Sequence, residues 1–308
     1  MFIKIWYQIA IIFILLLIGA FSRYKKFITE ATTKDLVNIV VNIFLPCLTF
    51  YSIITQLNFY DLQEKWYLPL LGLFSILFGI GIGWITANLL KLKSAKRRTF
   101  IYLTGFNNYG YLAIPIVFAF FGGKGLAFLF LHNFGCSFLY WSLGISILSG
   151  GGKSKHSFKH ILNPSFLALL IALIITLFNA NRFVPKIALD ITNILGKGTI
   201  PLIMLVIGSI LGSLKLRHYA NRLIYWLVPI RLIIIPVSIY IILLFLGVPE
   251  LVRKIVFIVS AMPSASTTVV LVSMYGGSKR LASAGVFVVT ACSLISIPFL
   301  LWLESIFF

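Results

Sequence analysis

Apolar stretches long enough to cross a lipid bilayer recur along almost the whole of this 308-residue chain. A transmembrane helix needs about 20 mostly apolar residues. Ten stretches qualify: residues 5–21, 36–56, 67–90, 99–121, 124–148, 164–181, 186–212, 223–247, 252–274 and 282–304. Only short loops separate them, and charged residues make up 11 % of the chain, against about 25 % in soluble domains. The sequence therefore predicts an all-α integral membrane protein and excludes a soluble enzyme or a cytosolic nucleic-acid binder.

The net charge of +19 is distributed unevenly between the two sets of loops. The loops after the odd-numbered spans hold 17 of the 26 lysines and arginines, and the opposite side holds 7. Because basic loops stay in the cytoplasm, we expect a multi-pass protein of the cell (plasma) membrane with both termini outside. The first span has only Lys4 before it but Arg23, Lys25 and Lys26 after it. This arrangement favours a retained helix over a signal peptide.

Proline residues divide the chain into two similar halves. Pro46 in the second span and Pro201 in the seventh interrupt apolar runs, and so do Pro115 in the fourth and Pro263 in the ninth. A repeat of five spans is odd in number, so the second repeat enters the membrane from the opposite side. We therefore expect two inverted repeats, at residues 1–148 and 164–308, joined by a cytoplasmic linker at residues 149–163.

Polar residues accompany the prolines of the fourth and ninth spans. Such patches mark either a simple kink or a site where two broken helices cross near the bilayer midplane. The amino-terminal ends of half-helices carry partial positive charge and free N–H groups, which attract anions. The serine and threonine hydroxyls either contact a ligand or bond back to their own helix. The candidate substrate-binding residues are Asn107, Asn108, Tyr109, Pro115, His132, Asn133, Pro263, Ser264, Ser266 and Thr267.

Ionisable residues are scarce within the spans. None of the seven acidic residues lies in the middle of a span, so no carboxylate is available for a proton or sodium relay. His132 either packs as a neutral ring or senses protons near the substrate. Arg231 faces either lipid headgroups or a cavity of the bundle, and Lys197 either lies at an unwound turn or extends towards the interface. Neither a catalytic cluster nor a cofactor-binding motif is present.

Two motifs resemble those of a known family. The stretch Asn108–Pro115 reads N-Y-G-Y-L-A-I-P, and Ala261–Tyr275 reads A-M-P-S-A-S-T-T-V-V-L-V-S-M-Y. Both are similar to the fourth-span and ninth-span motifs of the auxin efflux carrier family, which includes plant auxin exporters and bacterial carriers proposed for malonate and malate. The resemblance extends over nearly the whole chain.

The resemblance implies a fold like that of sodium/proton antiporters and bile-acid symporters. Spans 1, 2, 6 and 7 would form a scaffold that makes a homodimer. Spans 3–5 and 8–10 would form a transport domain that moves as an elevator, with Asn108 contacting a substrate carboxylate. Family substrates are small organic anions.

The sequence thus predicts a secondary carrier of a small organic anion such as an auxin-like or dicarboxylate acid. The expected partners are this substrate, membrane lipids and a second copy of the chain, with no nucleic acid and no cofactor. Two alternatives remain open: a non-transporting sensor or receptor, and a passive channel on the same fold.

Overall fold

A computed structural model describes residues 2–151, 163–213 and 222–307. The chain within these ranges is helical apart from turns and one isolated bridge. Most of the predicted linker at residues 149–163, and the basic residues Lys215 and Arg217, lie outside the described ranges.

The helices of the first half are α1 (Phe2–Tyr24), α2 (Glu30–Ile39), α3 (Leu45–Gln56), α4 (Phe59–Glu64), α5 (Leu68–Leu89), α6 (Ser94–Gly105), α7 (Ala113–Leu139) and α8 (Ile145–Ser149). Those of the second half are α9 (Pro164–Leu177), α10 (Lys186–Gly212), α11 (Arg222–Pro229), α12 (Ile235–Phe245), α13 (Glu250–Ala261), α14 (Thr268–Tyr275) and α15 (Lys279–Phe307).

Six continuous helical stretches within the described ranges are long and apolar enough to cross a membrane. They are Glu30–Gln56, Phe59–Leu89, Ala113–Ser149, Lys186–Gly212, Arg222–Phe245 and Lys279–Glu304. The chain is therefore an all-helical, multi-pass membrane protein. Two of the other predicted spans, 99–121 and 252–274, contain a break that leaves two helical pieces in each.

Two π-helical turns explain how prolines fit into long helices. Val40–Phe44 joins α2 to α3, and Ile230–Ile234 joins α11 to α12. Each turn ends in a hydrogen bond that spans five residues, and Pro46 or Pro236 follows one residue later. Proline has no N–H and clashes with the carbonyl four residues before it. A wider turn relieves that clash, so the second span bulges at Pro46 and is not interrupted.

Helix α10 also differs from the sequence-based expectation. It runs without a break through Pro201, so no unwound turn exists at Lys197, which is exposed within the helix. This supports the alternative in which Lys197 extends towards the interface. At the boundary predicted between the fourth and fifth spans, residues 122–123, α7 has a sharp non-helical kink at Gly122, whose φ is +61° and ψ −152°. Only glycine adopts this conformation readily.

Small residues allow the helices to pack closely. A Cβ atom on Gly208 of α10 would lie 2.1 Å from the carbonyl oxygen of Leu16 in α1, and one on Gly72 of α5 would lie 2.1 Å from that of His132 in α7. Close backbone approach of this kind is a main source of helix association in membranes, where burial of apolar surface contributes little.

The tightest contacts divide the helices into two groups. Helices α1, α3, α9 and α10 pack against one another, while α5, α6 and α7 pack with α12–α15. Contacts of α3 and α1 with α7 join the two groups. The first group corresponds to predicted spans 1, 2, 6 and 7.

Candidate functional site

Two breaks in the helices meet at one point in the protein. Helix α6 ends at Gly105 and α7 begins at Ala113, while α13 ends at Ala261 and α14 begins at Thr268. Extended backbone in the two gaps forms an antiparallel bridge between Asn107 and Ser264. Backbone N–H groups that have left the helices are therefore satisfied across the crossing, as burial in a membrane protein requires.

Backbone and side-chain hydrogen bonds fix this crossing. The N–H of Asn108 donates to the Pro263 carbonyl at 2.7 Å, and the N–H of Ala265 donates to the Phe106 carbonyl at 3.0 Å. The Asn107 amide Nδ2 donates to the Val259 carbonyl at 2.5 Å.

Both ends of the Asn108 side-chain amide are engaged. Its Nδ2 donates to Ser266 Oγ at 3.2 Å, and its Oδ1 accepts from the Tyr111 N–H at 3.3 Å. The Tyr111 N–H belongs to the turn that leads into α7, so Asn108 orients the start of that half-helix. The side chain is 5 % exposed.

A cavity of about 260 Å³ lies beside the crossing. None of the described residues that line it carries a charged side chain. These residues are Val41, Leu45, Thr49, Asn107, Asn108, Tyr109, Gly110, Tyr111, Ile114, Phe130, Asn133, Phe134, Ser137, Tyr140, Trp141, Asn163, Ser165, Phe166, Leu169, Ala265 and Thr267. The wall combines residues of α3 and α9 from the first helix group with residues of α7 from the second.

Aromatic rings form much of the cavity wall. The ring centres of Tyr109 and Tyr140 are 6.0 Å apart in an edge-to-face arrangement, and Phe134 stacks on Phe166 at 5.3 Å. The Tyr140 and Thr267 hydroxyls are hydrogen bonded. An uncharged wall that combines aromatic and aliphatic side chains with amide and hydroxyl groups suits a small organic ligand.

The amino-terminal ends of both half-helices contribute to the cavity. Gly110 and Tyr111 lie in the turn that leads into α7, Thr267 immediately precedes α14, and all three residues line the cavity. Each helix start carries a partial positive charge of about half a unit. The helix starts thus provide partial positive charge at the site without a basic side chain in its wall.

Of the ten substrate-binding residues predicted from the sequence, five line the cavity and five do not. Asn107, Asn108, Tyr109, Asn133 and Thr267 line it, whereas Pro115, His132, Pro263, Ser264 and Ser266 do not. Of the five residues outside the wall, Pro115 and His132 are in α7, and the other three are in the gap between α13 and α14.

The predicted residues behind the wall have structural contacts. The Ser264 hydroxyl donates to the Leu103 carbonyl at 2.6 Å, and Ser266 accepts from Asn108. His132 is fully buried, and its Nδ1 lies 3.3 Å from Asn133 Oδ1. Pro115 is in the first turn of α7, where the missing N–H has no intrahelical partner to lose. The crossing itself lies at Asn107 and Ser264, and not at Pro115.

No group of three His, Cys, Asp or Glu side chains in the described part of the chain is arranged to hold a metal ion.

The known proteins that the chain resembles are transport proteins. Residues 4–301 match the family model described as "Membrane transport protein", which is the auxin efflux carrier family.

The chain belongs to this membrane transport protein family.

Two transporters are similar to the chain over nearly its whole length. An uncharacterized transporter of Methanocaldococcus jannaschii is 27 % identical over 303 residues, which cover 96 % of this chain and 97 % of the relative. An uncharacterized transporter of Methanothermobacter thermautotrophicus is 26 % identical over 293 residues, which cover 94 % and 95 %. The protein is therefore a membrane transport protein and not an enzyme.

Sequence reasoning did not identify most of the aromatic wall of this family member. One signal was available in the positions i, i+3, i+4, i+7 and i+11, which share one helix face. They are occupied by Phe130, Asn133, Phe134, Ser137 and Trp141. The predicted Asn133 is on that face, and its Nδ2 donates to the Tyr109 carbonyl at 3.1 Å. Helical spacing places its neighbours on the same face, but spacing does not show whether that face lines a cavity or meets lipid.

Proposed function

We propose that this membrane transport protein is a secondary carrier of a small organic anion that binds in the cavity beside the crossing. The supporting observation is the joint position of Asn108 and the two half-helix starts at an uncharged cavity that is partly lined by aromatic rings. The carboxylate of the substrate would face the helix starts, and its apolar body would contact the rings.

The absence of basic side chains from the described wall suits a carrier better than a storage site. An arginine in contact with a carboxylate would bind it strongly in a low-dielectric site, and slow release would limit turnover. Backbone N–H groups and an amide provide weaker, directional donors, so the anion is recognised and still released. The same uncharged wall favours an aromatic or aliphatic monocarboxylate over a dicarboxylate, since a second charge would lack a partner.

The proposed transport cycle uses the two helix groups. The cavity lies between the group of α1, α3, α9 and α10 and the group that contains the crossing. We propose that the first group is the scaffold and that the second moves across it as an elevator, carrying the site. This scheme includes ten spans in two inverted repeats, at residues 1–148 and 164–308, a homodimer built through the scaffold, and both termini outside the plasma membrane.

Two alternative functions use the same fold. A sensor or receptor would bind the anion without moving it, and a channel would conduct it without saturation. The family membership supports transport, and the position of the cavity between two helix groups supports a carrier whose groups move against each other.

A binding screen tests the proposed site. The purified protein is heated in detergent with aromatic and aliphatic monocarboxylates, with dicarboxylates and with the neutral amide of each acid. A ligand that binds only the folded state raises the apparent melting temperature. We expect a monocarboxylate to stabilise the protein and its amide to have a much smaller effect.

The variant Asn108→Ala is compared with Asn42→Ala, because Asn42 is an exposed asparagine whose amide bonds only within its own helix. We expect Asn108→Ala to weaken acid binding by about tenfold or more, the equivalent of one lost charge-assisted hydrogen bond. Unchanged affinity in Asn108→Ala, or equal stabilisation by acid and amide, would contradict the proposed site.

A further inference from the structure

Arg231 is the largest side chain that is fully buried in the described protein, and it lies at the crossing. It belongs to the π-helical turn Ile230–Ile234 and is 1 % exposed. Sequence reasoning placed it against lipid headgroups or in a bundle cavity. It lies instead in the packed interior and does not line the cavity.

The guanidinium of Arg231 donates to three backbone carbonyls. Nε reaches the Met262 oxygen at 3.1 Å, Nη2 reaches that of Ser260 at 2.7 Å, and Nη1 reaches that of Thr104 at 3.3 Å. Thr104 and Ser260 are in the last turns of α6 and α13, and Met262 directly follows α13. One side chain therefore binds the carboxyl-terminal ends of both broken helices.

No carboxylate among the described residues pairs with the positive charge of Arg231. All seven acidic residues of the chain are within the described ranges, and none lies within 4.0 Å of the guanidinium. Each helix carboxyl terminus carries about half a negative charge. The guanidinium is thus balanced by the partial charges of two helix ends, and its planar set of donors matches several carbonyl oxygens at once.

This arrangement affects the field in the cavity. At the crossing, the positive starts of α7 and α14 lie close to the negative ends of α6 and α13, and in a low-dielectric interior their contributions oppose each other. The positive charge of Arg231 offsets the partial negative charges of the two helix ends. The partial positive charges of the helix starts then set the electrostatic potential in the cavity.

We propose that Arg231 is a positioning residue that makes the cavity selective for anions without contacting the ligand. The inference rests on the proposed function, because it concerns the charge preference of that same site. Arg231 acts through α6 and α13: it sets the potential at the cavity and fixes the two helix ends against each other.

The test uses the ratio of affinities for an acid and its neutral amide. The probes are benzoate, phenylacetate and indole-3-acetate with their carboxamides, and the pair that wild-type protein binds best is used for the variants. In Arg231→Gln, we expect the acid-to-amide affinity ratio to fall by about tenfold, while amide affinity changes little. A purely structural role would weaken acid and amide together and leave the ratio unchanged, which would overturn the proposal.

A second variant covers the case in which Arg231→Gln does not remain folded. In Arg231→His, the side chain gains or loses its charge with pH, whereas the probe acids stay ionised between pH 6 and pH 8 because ordinary carboxyl groups titrate near pH 4. We expect the acid-to-amide ratio to rise as the pH falls, beyond any change in the wild type. A histidine that stays neutral at this buried position would give a lowered ratio at every pH, whereas a ratio equal to that of the wild type across this pH range in folded Arg231→His would overturn the proposal.

The proposal and the function it depends on fail in different ways. If wild-type protein binds no acid in preference to its amide, the proposed function fails and this inference fails with it. If wild-type protein selects the acid and folded Arg231 variants keep the same selectivity, only the role of Arg231 is wrong.

Discussion

The backbone N–H of Asn108 donates a 2.7 Å hydrogen bond to the carbonyl of Pro263, although the two residues are 155 positions apart. This bond joins the two broken helices, and the side chain of the same asparagine lines the cavity. The residue that fixes the crossing is therefore also part of the proposed binding site. Ligand contact and crossing geometry are coupled through one amino acid.

The bridge predicts strong amide protection outside the helices. The N–H groups of Asn108 and Ala265 both donate across the crossing. We expect hydrogen–deuterium exchange at these two amides to be slowed to the level of the buried helices, because exchange requires the bridge to open. Exchange at either amide near the rate of an unstructured peptide would show that the crossing is not paired in solution.

Helix packing predicts different effects for two glycines of α5. A methyl group at Gly72 would lie 2.1 Å from the His132 carbonyl oxygen, whereas one at Gly81 would have no atom within 4 Å. We expect Gly72→Ala to lower the free energy of unfolding by about 1–3 kcal/mol through overpacking. Gly81→Ala should leave it unchanged or raise it by up to about 1 kcal/mol, because alanine favours the helix. Chemical unfolding in mixed micelles measures both, and equal effects would contradict the packing of α5 on α7.

The kink in α7 predicts a purely conformational cost at Gly122. A Cβ atom there would meet nothing within 4 Å, yet φ is +61°. We expect Gly122→Ala to destabilise the protein by about 1–3 kcal/mol because of backbone strain alone. Gly81→Ala is the matched control, since it also adds a methyl group in open space. A neutral Gly122→Ala would mean that α7 does not have this kink.

The Tyr140–Thr267 hydrogen bond predicts an energetic coupling between α14 and the π-helical turn Tyr140–Gly144. We expect a double-mutant cycle with Tyr140→Phe and Thr267→Val to give a coupling energy of about 1 kcal/mol in stability. Tyr60→Phe is the control, because Tyr60 is 76 % exposed. Strict additivity of the two substitutions would show that the hydroxyls do not interact.

Sequence alone predicted the positions of the helix breaks well. The polar runs after Thr104 and after Ser260 indicated where the fourth and ninth spans leave the helical conformation. Asn107, Asn108 and Thr267 were assigned to the site from these runs, and they line the cavity. The breaks were predictable because a polar, proline-containing segment in an apolar span has to satisfy its backbone groups within the protein. That these three residues bind a substrate stays a prediction.

The aromatic wall and the contacts of Arg231 could not be predicted in the same way. A helix in lipid is apolar on its packed face and on its lipid face, so hydrophobic periodicity does not show which side Phe134 or Trp141 presents to a neighbour. The acceptors of Arg231 are backbone carbonyls of residues 104, 260 and 262. No side-chain pattern records such acceptors, so their position depends on how α6, α13 and α12 pack.

Transport in reconstituted liposomes tests the central claim most directly. The best-binding acid is loaded inside the vesicles, and entry of a trace of labelled acid is followed in wild type and in Asn108→Ala. A carrier that binds the anion at the crossing predicts saturable uptake that is accelerated by unlabelled acid on the opposite side and is lost in Asn108→Ala. Linear uptake without acceleration would indicate a channel, binding without uptake would indicate a receptor, and either result would contradict the account.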